Sequence, residues 1–219
     1  LRTFVLGKSA GNLPILAYEF GYSGPKVLIL GGVHGDETEG VVCAQGLLNR
    51  FLLAFSLRLQ CTIVPIFNPD GVFSHKRTNA NDVDLNRNLP TNDWTADWVN
   101  PRYKPGQFAA SEPESQTLVK YIGEFKPRWI LSLHSWKPLL NVNGRCLRQA
   151  ETISTYTGYP IEDSIGYPTP GCLGTYAGLE RDFPTLTYEI ERGLPTEKVL
   201  GIHVPAVWES LKSTESEEK

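Results

Sequence analysis

Three short runs constrain this chain more than anything else in it: Lys26–Leu30 (KVLIL), Trp129–His134 (WILSLH) and Thr185–Ile190 (TLTYEI). Apolar runs this short, bounded by turn residues, read as strands packed in the interior, and KVLIL as one covered on both faces. Leu13–Phe20 and Leu59–Phe67 (LQCTIVPIF) add two more expected strands. A helix is expected from about Thr38 to Phe55. A second reaches Phe125, with Ser111 as its N-cap and Pro113 and Glu114 in its first turn. Pro195–Leu211 reads as a closing helix. Strands alternating with helices indicate an α/β class, a mixed but largely parallel twisted sheet flanked by helices. The length of 219 residues suits one domain. That domain is expected over residues 1–212, with 213–219 a polar, acidic tail.

Composition matters here for what it excludes. No stretch reaches the roughly 18 uncharged apolar residues that a membrane span needs. The net charge of −3 argues against a nucleic-acid partner. Cys43, Cys61, Cys146 and Cys172 form no CxxC pair, so all four are expected to be small, buried, reduced side chains rather than zinc ligands, with a disulfide between two of them as the alternative. With Leu1 first and no methionine, the expectation is a cytoplasmic protein, or a periplasmic one if a signal peptide has been removed. Oligomeric state is not given by the sequence.

The chemistry-bearing residues sit where the strands end. His34 and Glu37 form an H-x-x-E pair in the Gly-rich turn after KVLIL, His134 ends WILSLH, and Glu189 lies near the end of TLTYEI. Open α/β sheets gather their ligands beyond the carboxyl ends of their strands, so these segments can converge. Two imidazoles and a carboxylate suit zinc, whose catalytic sites commonly use three protein ligands and leave one position open. A four-residue HGDE match is weak on its own. Between the strands lies an irregular region, Asn68 to Ala110, of a length that is uncommon unless functional.

The order of motifs is what makes the pattern specific. His34-Gly35-Asp36-Glu37 is followed by Asn68-Pro69-Asp70-Gly71, Arg77, Asp84-Leu85-Asn86-Arg87-Asn88, Leu133-His134-Ser135 and Thr187-Tyr188-Glu189. This series resembles the zinc carboxypeptidase family from about Gly31 to Glu191. Arg77–Pro90 (RTNANDVDLNRNLP), Ser111–Gln116 (SEPESQ) and Ser164–Tyr176 (SIGYPTPGCLGTY) look most like its murein tripeptide amidases. The resemblance implies a carboxypeptidase-like sandwich and one zinc ion held by His34, Glu37 and His134. It implies Glu189 as general base and Arg77 as the group that polarises the scissile carbonyl. Asn86 and Arg87 would hold the substrate's terminal carboxylate, a task that suits the planar arginine fork. Asp84 would accept the outer N–H of His34, and Tyr167 would cap the substrate.

The resemblance further implies a small peptide substrate, a murein peptide cut between γ-D-glutamate and meso-diaminopimelate. Glu191, Arg145 and Arg192 are candidates for reading the second amino-acid head of diaminopimelate. Glu191 stands where murein amidases often carry proline. An aspartoacylase-like or succinylglutamate desuccinylase-like hydrolase shares the turn and is the alternative, as is a carboxypeptidase of another specificity. A non-catalytic binding module is disfavoured, because no implied ligand or base is lost.

Overall fold

The computed structural model describes residues 1–215. In chain order the elements are β1 (Arg2–Lys8), β2 (Pro14–Phe20), β3 (Lys26–Leu30), α1 (Thr38–Ala54), β4 (Gln60–Val64), α2 (Pro69–Ser74), α3 (Pro113–Phe125), β5 (Trp129–Trp136), β6 (Leu139–Asn143), α4 (Leu147–Thr157), β7 (Ile161–Glu162), β8 (Thr185–Glu191), α5 (Thr196–Lys198) and α6 (Val204–Glu215). The eight strands among the described residues form one sheet in the order β1-β2-β4-β3-β5-β8-β6-β7. The central four, β4, β3, β5 and β8, run parallel. Antiparallel pairs flank them on both sides. The α/β architecture with a mixed, largely parallel sheet is therefore as expected.

The central strands divide their residues between two cores. Val27, Ile29, Leu131, Leu133, Leu186, Tyr188 and Ile190 pack with α1, α4 and α6. Leu28, Leu30 and Ile130 pack on the opposite side with Leu118, Ile122 and Phe125 of α3. On that second side, β5 and β8 turn polar as they run upward, with Ser132 and His134 on one strand and Thr187 and Glu189 on the other. Ser132 pairs with Thr187, and His134 with Glu189. The position is a switch point, since β3 has β4 on one side and β5 on the other.

Several expected boundaries move. The Leu59–Phe67 strand spans only Gln60–Val64, stopped by Pro65, which cannot donate to a ladder. Glu112, not Ser111, is the N-cap residue of α3. The Ser111 hydroxyl instead bonds Glu112 Oε1 at 2.7 Å and accepts from Asn88. The closing helix is split: α5 and α6 are joined by a wider π turn over Val199–His203. α6 continues through Glu215, past the expected start of the tail at Ser213. Thr214 is buried there and accepts from the Trp129 indole at 3.1 Å. The rest of the expected tail, 216–219, lies outside the described residues. All four cysteines are free, as expected, and Cys43, Cys61 and Cys146 are buried; Cys172, expected to be buried, is partly exposed beside the cavity. Among the described residues no helix is long and apolar enough to cross a membrane.

Candidate active site

The turn after β3 is built by backbone proximity. Gly32 has a φ of 62°, which costs glycine nothing. A Cβ at Gly35 would fall 1.9 Å from the Gly71 carbonyl carbon, so only glycine lets the turn lie against α2. The turn delivers His34 and Glu37 beside His134 of β5. His34 Nδ1 lies 2.9 Å from Glu37 Oε1, His134 Nδ1 lies 2.8 Å from Glu37 Oε2, and the two Nδ1 atoms are 3.1 Å apart. All three side chains are buried, and they form a group able to hold a metal ion.

Each imidazole is anchored by its other nitrogen. His34 Nε2 bonds Asp84 Oδ1 at 3.0 Å, and His134 Nε2 bonds Ser132 Oγ at 2.9 Å. Burial would raise the Asp84 pKa, but the Arg77 guanidinium and then His34 overcome it and hold the carboxyl well below its usual range. An ionised carboxylate only accepts, so His34 donates through Nε2–H and turns Nδ1 toward Glu37 and His134. Burial likewise opposes Glu37, yet His34 and His134 hold it well below the usual range. Two inward-facing imidazole nitrogens around a buried carboxylate are the donor set a zinc ion takes when it displaces their protons.

Glu189 stands next to His134 across the β5–β8 ladder, 7% exposed. Burial pushes its pKa up to about 7, against the pull of His134. Its Oε2 has no hydrogen-bond partner among the described residues. Arg77 donates from Nε to Asp84 Oδ2 and from Nη1 to Glu37 Oε1, both at 3.0 Å. Asn86 Oδ1 accepts from the Leu173 N–H at 2.8 Å, which fixes the amide's orientation. The Arg87 guanidinium lies 5.3 Å from the Tyr103 ring centre and 6.0 Å from that of Tyr167. A cavity of about 390 Å³ is lined by His34, Glu37, Glu189, Arg77, Asn86, Arg87, Tyr103 and Tyr167, with His134 and Asp84 buried behind it.

A sequence model of the zinc carboxypeptidases matches residues 1–187. The chain belongs to the zinc carboxypeptidase family. It is 34% identical over 200 residues to murein peptide amidase A of Vibrio campbellii, an alignment covering 84% of this chain and 77% of that protein. With murein peptide amidase A of Escherichia coli K12 the identity is 35% over 161 residues, or 68% of this chain and 64% of that one. The crystal structure of murein-tripeptide amidase from Escherichia coli O157 superposes with a TM-score of 0.84 at 26% identity, covering 97% and 92% of the two chains. This zinc carboxypeptidase homologue is thus a hydrolase, and His34, Glu37 and His134 fit one zinc ion.

The structure places His34, Glu37, Arg77, Asn86, Arg87, Tyr167 and Glu189 around one cavity, with His134 and Asp84 in contact with its zinc donors. Of the three candidates for reading a diaminopimelate head, only Arg192 lines the cavity. Arg145 is exposed in the turn before α4, and Glu191 is exposed with its N–H donating to the Tyr159 hydroxyl. Extended backbone sends alternate side chains past the same face, but the strand ends at Glu191, where the chain turns away. Tyr103 was not foreseen. It stacks 5.3 Å from both Arg77 and Arg87, and its only signal is an aromatic residue in the long irregular region. Asn141 and Asn143 were missed with their strand.

The Asp84 contacts set up a direct test. Asp84→Asn is expected to weaken zinc affinity by about 10–100-fold, measured by competition with a zinc dye. The amide no longer fixes the His34 tautomer and no longer balances Arg77. Unchanged affinity would show that His34 is oriented by its turn alone.

Proposed function

We infer that this zinc carboxypeptidase homologue is an amidase that cleaves the γ-D-glutamyl–meso-diaminopimelate bond of murein peptides. The observation that carries this reading is the make-up of one cavity. It joins the zinc donors and Glu189 to a carboxylate clamp, Asn86 and Arg87, and to a polar wall of Asn141, Asn143 and Thr187. An apolar side chain would gain little from that wall, whereas amides and a hydroxyl can hydrogen-bond the second amino-acid head of diaminopimelate. The named relatives support the same substrate.

A zinc ion held by His34, Glu37 and His134 would supply positive charge that lowers the pKa of nearby water to about 7 and would polarise a carbonyl. Glu189 takes the water's proton at its unpartnered Oε2 and returns it to the leaving amine. Arg77 directs guanidinium N–H groups at the carbonyl oxygen as negative charge grows there, a contribution of about 3–4 kcal/mol for such a donor. Asn86 and Arg87 hold the terminal carboxylate, which places the last peptide bond beside Glu189. Tyr167, edge-on to Trp136 at 5.6 Å, closes over the clamp.

Mass spectrometry of products from L-Ala-γ-D-Glu-meso-diaminopimelate decides the matter. The expected products are L-Ala-D-Glu and free diaminopimelate. Turnover of N-acetylaspartate or N-succinylglutamate with none of the tripeptide would transfer the assignment to the acyl-amino-acid hydrolases. Preference for ordinary C-terminal residues would make it a carboxypeptidase of another specificity.

A further inference from the structure

Positive charge is the part of the site that the proposed chemistry leaves unused. The chain as a whole is acidic, with 24 Asp and Glu against 21 Lys and Arg. Yet four arginines, at 77, 87, 102 and 192, line one cavity. Arg77 is matched by Glu37 and Asp84, and Arg87 belongs to the clamp. Arg102 and Arg192 share a single carboxylate oxygen, Asp36 Oδ2, at 2.9 and 3.4 Å. Arg192 otherwise reaches the Ser135 carbonyl at 3.3 Å and, at 3.7 Å, Glu37, itself a zinc donor.

A second depression of about 570 Å³ opens from this spot. It shares Arg77 and Arg102 with the main cavity and adds Asp36, Lys76 and Lys104, while Asn86 and Arg87 take no part in it. Lys104 Nζ donates to a neutral group, the Asn81 carbonyl, at 3.0 Å. Lys76 lies 3.9 Å from Asp82, with both side chains largely in solvent. The trough is therefore locally basic on an acidic protein. Arg77 marks the junction. A peptide whose terminal carboxylate sits at Asn86 and Arg87 has its acyl portion beyond the scissile carbonyl, past Arg77, and that is where the trough begins.

The geometry points to Arg102 and Lys104 as the residues that read a carboxylate on the acyl side of the scissile bond. The carboxylate is the one that a γ-linked glutamyl residue leaves free on its α-carbon. This rests on the γ-glutamyl reading above and extends it: the trough selects the acid over the corresponding α-carboxamide. An arginine fork and an ammonium both suit a carboxylate, and the open trough makes the effect moderate and sensitive to salt.

The test compares kcat/KM of the zinc-loaded protein on L-Ala-γ-D-Glu-meso-diaminopimelate and on its D-isoglutaminyl counterpart, which carries the α-carboxamide. The acid is expected to be preferred by about tenfold. Arg102→Gln and Lys104→Gln should each lower that preference severalfold, mainly through KM, and Arg102→Lys should restore part of it. Calorimetric binding of the product L-Ala-D-Glu should weaken in the same two glutamine variants. Equal rates on acid and amide, or a preference unchanged in both variants, overturns the trough assignment while the amidase reading stands. Cleavage of neither peptide overturns both.

Discussion

Glu189→Gln is expected to retain its zinc and lose at least about a hundredfold in turnover on the γ-glutamyl peptide. The substitution is nearly isosteric, so the β8 ladder and the packing around the side chain survive. What it removes is a proton acceptor. Glu189 is buried, one of its oxygens has no partner among the described residues, and its pKa is pushed up to about 7 by burial. A carboxyl in that range can take a proton and release it in the same cycle, which a carboxamide cannot. Metal content by plasma mass spectrometry, read beside kcat, separates the two roles open to the residue. Near-normal turnover would remove Glu189 from the proton transfer, and loss of zinc along with activity would make it a structural support.

Stripping the metal with a chelator should abolish turnover and lower the thermal midpoint by about 5–10 °C, with both restored by added zinc. The activity follows from the family chemistry, and the stability follows from the donor geometry. Two imidazoles and a carboxylate meet within 3.1 Å, with Asp84 and Arg77 packed behind them. An ion that binds only the folded chain stabilises it by mass action, about 2.7 kcal/mol at a hundredfold excess over Kd. Scanning calorimetry with and without chelator reads the shift. Activity that ignores the chelator would sink the metal assignment, and a midpoint that ignores it would mean that Asp84 and Arg77 hold the turn together unaided.

The central strands were legible because β3, β5 and β8 are short and largely buried, with an unbroken apolar run in β3 and apolar side chains alternating with polar ones toward the ends of β5 and β8. The site was legible for a different reason. Its residues cluster in motifs whose order along the chain is itself informative, and the fold brings those motifs to one edge. What escaped did so physically. β6 (LLNVN) places Asn141 and Asn143 toward the cavity, which breaks the apolar run that marks its neighbours. α4 buries only Gln149, Ala150 and Ile153, too sparse a stripe to register as a period. β1 is an edge strand with much of its surface in water. Ser111 has the chemistry of an N-cap, but Asn88 and Glu112 compete for its hydroxyl. The chain trace gave no reason to connect Tyr103 with two arginines.

The register of β5 against β8 carries a consequence for how such a site can change. Odd and even positions on these strands serve different masters: Leu133, Tyr188 and Ile190 fill the interior, while His134 and Glu189 face the chemistry. Neither strand has an idle side on which variation is free. New selectivity is therefore most accessible to selection or design from the periphery, through β6, the long irregular segment and the loop around Tyr167. The acid and its neighbouring imidazole meanwhile stay locked in step by the ladder that joins them.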